Sequence, residues 1–375
     1  MALQGMICDE ELELFDLTDN ATLTFLETLI TISNRYGSVH KYLALCICIV
    51  GITMNILHVL VLTRPAMYKS AINRLLSFMA ICDIITMTSY LIFTVRFSFM
   101  IDVHKPPVGY DFPWIIFLLG HVVCSIALHT ITLYLSVATA YIRYKVLDKI
   151  GSKWMHENIA GPLFVLISIT VILLCIPTFL VHSIVRIDSE EGSLYTVGLA
   201  EFSQFNTCFI FKFNLWLTGI AFKVIPCIFL MFFTLALLYK LDMSRRRRRL
   251  ITSGTSLASK RSEVHSDRTT KLLVILLMVF MCTEFPQGIL AILNGLFPND
   301  IHQFVYLSLG DVLDLLSLIN CNTCFILYPL ISSQYRHTLK CFLRCFQEKY
   351  RSRTATFIKS ENSAIRFQDD RDVLL

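Results

Sequence analysis

A carboxylate, a proline and an amide share one helical turn of this chain, Thr283-Glu284-Phe285-Pro286-Gln287-Gly288. Glu284 can hold an ion pair or share a proton, and Gln287 can donate and accept hydrogen bonds. Pro286 removes a backbone N–H and kinks a helix. The hexapeptide lies inside an apolar run, where a carboxylate at bilayer depth marks a binding or relay position by default. We read it as pocket floor or switch. Two states of Glu284 stay open: ionised and facing a ligand, or protonated and bonded to a neighbour such as His129. A second group, His121, Ser125, His129 and Thr132, recurs at spacings near 3.6 and shares a helix face. The upper three read as pocket lining, with a buried histidine satisfied by backbone as the plainer alternative. No nucleophile is paired with a base and no phosphate loop opens a helix, so the chemistry is recognition and not catalysis.

The elements that must position these groups are membrane helices. The chain has 375 residues, 55% hydrophobic and only 16% charged, with a mean hydropathy of +0.62. A soluble protein of that length would carry more charge. Seven apolar stretches of spanning length fall at 42–63, 75–97, 113–141, 159–184, 213–239, 271–294 and 303–330. The expected fold is an all-α membrane protein, a seven-helix bundle. Segment 1–40 is an outer N-terminal segment, 41–346 the bundle plus an amphipathic helix, and 347–375 an inner tail. The 13 cysteines lie mostly in apolar runs, where they act as small hydrophobes, and no Cys/His cluster among them reads as a zinc site. No metal or cofactor is expected.

Orientation follows from basic residues in short loops. Arg64, Lys69 and Arg74 follow the first stretch; Arg143, Lys145, Lys149 and Lys153 follow the third; Arg245 to Arg249 follow the fifth. The other loops are poor in Lys and Arg, and the N-terminal segment is acidic. The N-terminus is therefore expected outside a plasma membrane and the C-terminus in the cytoplasm, in agreement with a glycosylation sequon at Asn20. The Arg245–Arg249 run reads as a topological flank touching anionic lipid, not as a nucleic-acid patch. Thr252, Ser253, Ser259 and Ser262 follow basic residues, so kinase control and plain solvated loop are both open. Ser332–Phe346 reads as an amphipathic helix on the inner leaflet. Cys341 and Cys345 are candidates there for palmitoylation, with free thiols as the alternative.

Motifs distinguish a receptor from a transporter or channel, for which inverted repeats would speak. Asn55 lies in the first stretch, Asp83 in the second, Arg143-Tyr144 at the end of the third, Pro226 in the fifth, Pro286 in the sixth and Tyr328 late in the seventh. This set resembles rhodopsin-like G protein-coupled receptors. More narrowly, Asn55–Arg64, His129-Thr130 with Leu135-Ser136-Val137, Lys223–Cys227, Asp267–Leu273, Thr283–Ala291, Gly310–Asp314 and Cys324–Tyr328 resemble invertebrate receptors for myosuppressin and FMRFamide-like peptides, nematode branch included. The resemblance covers about residues 45–340.

The resemblance implies an amidated neuropeptide ending in Arg-Phe-amide outside and a heterotrimeric G protein inside. A chemosensory receptor for small molecules on the same scaffold is the alternative. Asp314 lies about 14 residues, or roughly 21 Å, above Tyr328 and can pair with a peptide arginine or with a basic group of another helix. Asp311 is one turn higher and more open to solvent. Glu284 takes the place of the usual switch tryptophan. Asp83, Thr132 and Asn320 match a sodium-binding cluster, with sodium, a proton or a structural network all open. Arg143 matches the arginine that meets the G protein, but Ile142 replaces the preceding acid. Cys324-Phe325 replaces Asn-Pro in the seventh-helix motif, and Leu118 stands where the usual outer disulfide begins. Cys8 is then the candidate partner of Cys208, with Cys124 a deeper alternative.

Overall fold

In the computed structural model, residues 14–101, 108–146, 157–189, 192–251, 257–345 and 347–348 are described, the side chains of 157, 189, 192, 205–207, 331 and of most of 245–276 excepted. Seven helical segments are long and apolar enough to cross a membrane: Asn20–Leu62, Ala71–Phe99, Phe112–Val146, Ala160–Val181, Cys208–Ser244, Leu277–Leu296 and Pro298–Leu330. These are spans one to seven, and the chain is a multi-pass membrane protein with a seven-helix bundle.

Helix α1 (Asn20–Leu62) starts far ahead of its apolar run, because Asp19 caps it by accepting the Thr22 N–H at 3.2 Å. A short helix α2 (Pro65–Tyr68) begins with proline, whose missing N–H costs nothing at a helix start. Span two is α3 (Ala71–Thr94), ending in a π-helical turn at Val95–Phe99, and span three is α4 (Phe112–Val146). Span four breaks at Cys175 into α5 (Ala160–Leu174) and α6 (Ile176–Val181), because Pro177 cannot continue the ladder. A hairpin of β1 (His182–Ser189) and β2 (Gly192–Leu199) follows, pairing His182 with Leu199 through Ser189 with Gly192. Tyr195 bridges to Tyr110, which ties the hairpin to the start of α4 and puts Arg143 at the opposite end of the bundle.

Two prolines shape the region of the acid. Span five runs as α7 (Glu201–Trp216), a π-helical stretch Leu217–Val224, and α8 (Ile225–Ile251). Pro226 cannot donate to the preceding turn, so the turn widens. Tyr134 of span three donates to the Ala221 carbonyl there at 2.6 Å. Span six belongs to α9 (Leu257–Leu296), with Pro286 inside it. Beside that kink the Gln287 amide donates to the Thr283 carbonyl at 2.7 Å. Spans five and six approach closely at Gly288, where an added Cβ would lie 3.0 Å from Val224 and 3.2 Å from the Lys223 Cβ. Span seven opens with a π-helical stretch, Pro298–Tyr306, and continues as α10 (Leu307–Ile331). A last helix, α11, covers 333–345. The main apolar core joins spans one to four through Leu62, Leu75, Ile142 and Val171.

Candidate functional site

Glu284 is fully buried, and four spans converge on it. Lys223 Nζ of span five donates to its Oε2 at 2.7 Å. His129 Nε2 of span three lies 3.1 Å from both carboxylate oxygens. Asn320 Nδ2 of span seven donates to Oε1 at 3.1 Å. Lys223 also donates to Gln287 Oε1 at 3.1 Å, and Ser317 Oγ to the same oxygen at 3.4 Å. A buried charge is tolerated when it is paired and its lone pairs are filled, and both conditions hold here. The sequence points to His129 as a neighbour of Glu284 and gives Lys223 only within the Lys223–Cys227 motif. Its signal is that Lys223 is the lone cation inside the apolar stretch 213–239.

Above this network, toward the hairpin, opens a cavity of about 530 Å³. Tyr90, Ser125, His129, Lys223, Gln287 and Asp314 line it, with His182 and His302 among further lining residues. Glu284 is not in the wall. It lies beneath the floor, behind Lys223, His129 and Gln287. Asp314 accepts from the Tyr90 hydroxyl at 3.0 Å and forms no ion pair among the described residues. The cavity wall thus carries a carboxylate that forms no ion pair among the described residues, while its lysine is paired with Glu284.

Other expected residues are placed differently. His121 does not line the cavity. Its Nδ1 lies 2.6 Å from Ser89 Oγ, and its ring stacks on Phe93 and Phe117, because its side of α4 packs against span two. Asp311 turns toward span one, where a Cβ on Gly37 would come within 2.8 Å of its Oδ2. Asp83, Thr132 and Asn320 each have a hydrogen-bond partner outside the set of three. Thr132 donates to the His129 carbonyl at 2.8 Å, Asn320 goes to Glu284, and Asp83 has the Cys321 thiol as its hydrogen-bond partner. Cys321 and Cys324, spaced as C-x-x-C, are both free. Asn55 Nδ2 bridges its own helix to span seven through the Gly51 and Cys321 carbonyls.

At the opposite end, Arg143 and Tyr328 line a smaller cavity with Leu76, Thr139, Asn320 and Cys324. Arg143 forms no ion pair among the described residues, and Ile142 beside it is buried. The Tyr328 hydroxyl donates to Asn73, and Lys240 Nζ sits 3.5 Å from the Tyr144 ring centroid. Helix α11 is anchored on the loop after span one: Gln334 Nε2 donates to the Ala66 carbonyl at 2.6 Å and Arg64 lies over Phe342. Tyr335 is buried against His58, and burial pushes its phenol up to about 12. Cys341 and Cys345 are exposed and free. Cys208 is disulfide-bonded. Cys8, Glu190, Glu191, Thr252, Ser253 and Phe346 lie outside the described residues. Asn20 is exposed at the start of α1.

With this geometry in view, comparison with known proteins gives two matches. The profile of the serpentine type 7TM GPCR chemoreceptor Srw matches residues 42–346. The chain is also similar to the G-protein coupled receptor dmsr-1 of Caenorhabditis elegans, with 29% identity over 355 residues, covering 83% of this chain and 69% of that protein.

Proposed function

The chain belongs to the Srw family of serpentine seven-transmembrane G protein-coupled receptors, and from that membership we propose that it is a receptor for short peptides ending in Arg-Phe-amide. The observation that carries the reading is Asp314, a carboxylate in the cavity wall with no ion-pair partner among the described residues. A guanidinium supplies the missing countercharge and a fork of donors that fits a carboxylate. Lys223 is held by Glu284 and keeps Gln287 in place for a neutral amide. The motifs shared with myosuppressin and FMRFamide-like receptors support the same ligand class.

The hairpin end faces outward in this reading and the Arg143 end faces the G protein, as the basic loops require. The plasma membrane is the compartment. Residues 1–40 form the outer segment, glycosylated at Asn20, 41–346 the bundle, and 347–375 the inner tail. A Cys8–Cys208 bond is supported by the bonded state of Cys208 and the free state of the other described cysteines. Exposed Cys341 and Cys345 on α11 suit palmitoylation at the inner leaflet.

The test is expression with G protein reporters and a panel of amidated Arg-Phe peptides at confirmed surface expression. The receptor responds, and Asp314→Asn lowers potency roughly ten- to hundredfold, the range of a charged hydrogen bond. Silence across the panel overturns the peptide reading. Activation by small neutral molecules, unchanged in Asp314→Asn, assigns the cavity instead to chemosensing.

A further inference from the structure

Asp314 is the last member of a hydrogen-bonded chain that begins on span one. The Tyr36 hydroxyl lies 3.3 Å from His40 Nδ1. His40 Nε2 lies 2.9 Å from the Tyr90 hydroxyl. That hydroxyl lies 3.0 Å from Asp314 Oδ2. His40 and Tyr90 are buried, at 4% and 7% exposure, which keeps water from replacing the link between them.

Counting protons fixes the direction. A phenol has one proton, and Tyr90 gives it to the carboxylate. Its oxygen must therefore accept at the His40 contact, so Nε2 carries the imidazole proton. The bare Nδ1 of the neutral ring then accepts from Tyr36. Every link points toward Asp314, the arrangement in which successive hydrogen bonds polarise and strengthen one another. Tyr90 is in the cavity wall and His40 is not. An imidazole on span one thus acts on a carboxylate of span seven without touching the space a ligand would fill.

We propose that His40 is a positioning residue for ligand recognition: by fixing the Tyr90 hydroxyl it holds the Asp314 carboxylate aimed into the cavity. The inference rests on the reading of Asp314 as partner of a ligand cation. It also predicts that the loss of His40 is felt by cationic ligands, since Asp314 is the charged wall group that this chain holds.

Two measurements test it. In the receptor labelled with ring-13C tyrosine, the Tyr90 C–O stretch is assigned as the infrared band lost in Tyr90→Phe. It shifts in His40→Leu and returns in His40→Gln, whose side-chain amide restores a donor at the Nε2 position. In cells, the probes are Phe-Met-Arg-Phe-amide and its citrulline analogue, which keeps the shape and removes the charge. His40→Leu lowers potency of the arginine peptide about three- to tenfold, the worth of one neutral hydrogen bond. It leaves the citrulline peptide unchanged, and His40→Gln recovers the difference. His40→Leu with Tyr90→Phe is no worse than Tyr90→Phe alone, because the histidine acts through the phenol. An unmoved Tyr90 band, or equal loss for both probes, overturns the proposal. If Asp314→Asn affects both probes alike, or both are silent on the native receptor, the arginine reading fails by itself while the Tyr90 band still decides the chain.

Discussion

Glu284 is held by three other spans, so its chemistry belongs to its partners. Removing one partner leaves a buried charge, which costs about 3–5 kcal/mol, whereas replacing the pair by apolar groups of similar volume is often neutral. Lys223→Met should therefore lower thermal stability of the purified receptor sharply, and adding Glu284→Leu should restore most of it. Reporter signalling stays lost in the double variant, because the link between spans three, five, six and seven is gone. A double variant as unstable as Lys223→Met would show that the two residues are not coupled. Legibility at this scale was uneven. An acid in an apolar run announces itself, and His129 was within reach of helical spacing. Lys223 and Asn320 were not placed with it, because which helix faces which is not written in any one helix.

Pro286 and Pro226 matter here as helix deformations, and Gly288 as the close contact between the two deformed helices. Gly288→Ala would press on Val224 and on Lys223 itself, widening the gap that the 2.7 Å ion pair spans. The expected cost is about 1–3 kcal/mol, typical of overpacking. Gly120, where an added Cβ meets nothing within 4 Å, is the control. Gly120→Ala should raise stability by about 0.5–1 kcal/mol, since alanine is the better helix former. Melting curves of the two variants decide it, and equal shifts would refute the close-contact account. The sequence pattern located all seven spans, because hydropathy is a one-dimensional property. It missed the extent of α1, which a polar cap at Asp19 starts, and the three π-helical stretches, which depend on neighbours to take up the freed carbonyls.

For the whole molecule, charge asymmetry and architecture make one joint prediction. An epitope tag ahead of Asn20 should be labelled on intact cells, and one after Leu375 only after permeabilisation. Asn20→Gln should abolish a glycosidase-sensitive mass shift. The reverse labelling pattern would invert the proposed orientation and move the ligand cavity to the inner side. Non-reducing peptide mapping should recover Cys8 linked to Cys208, and recovery of free Cys8 would exclude that bond.

Sequence alone determined the class of the molecule. Spanning length, loop charge and one polar or kink residue in nearly every helix are local quantities, readable without knowing what touches what. The family resemblance carried by the same residues pointed to the serpentine receptors to which the chain belongs. Only the tertiary structure decided which polar groups meet. It put Glu284 under the floor, left Asp314 in the wall with no ion pair among the described residues, set His121 against Ser89, and gave Asp83, Thr132 and Asn320 separate partners. The physical reason is that a buried polar group takes whatever partner helix rotation and kinking bring within 3 Å or so. Those rotations are set by packing among all seven helices at once.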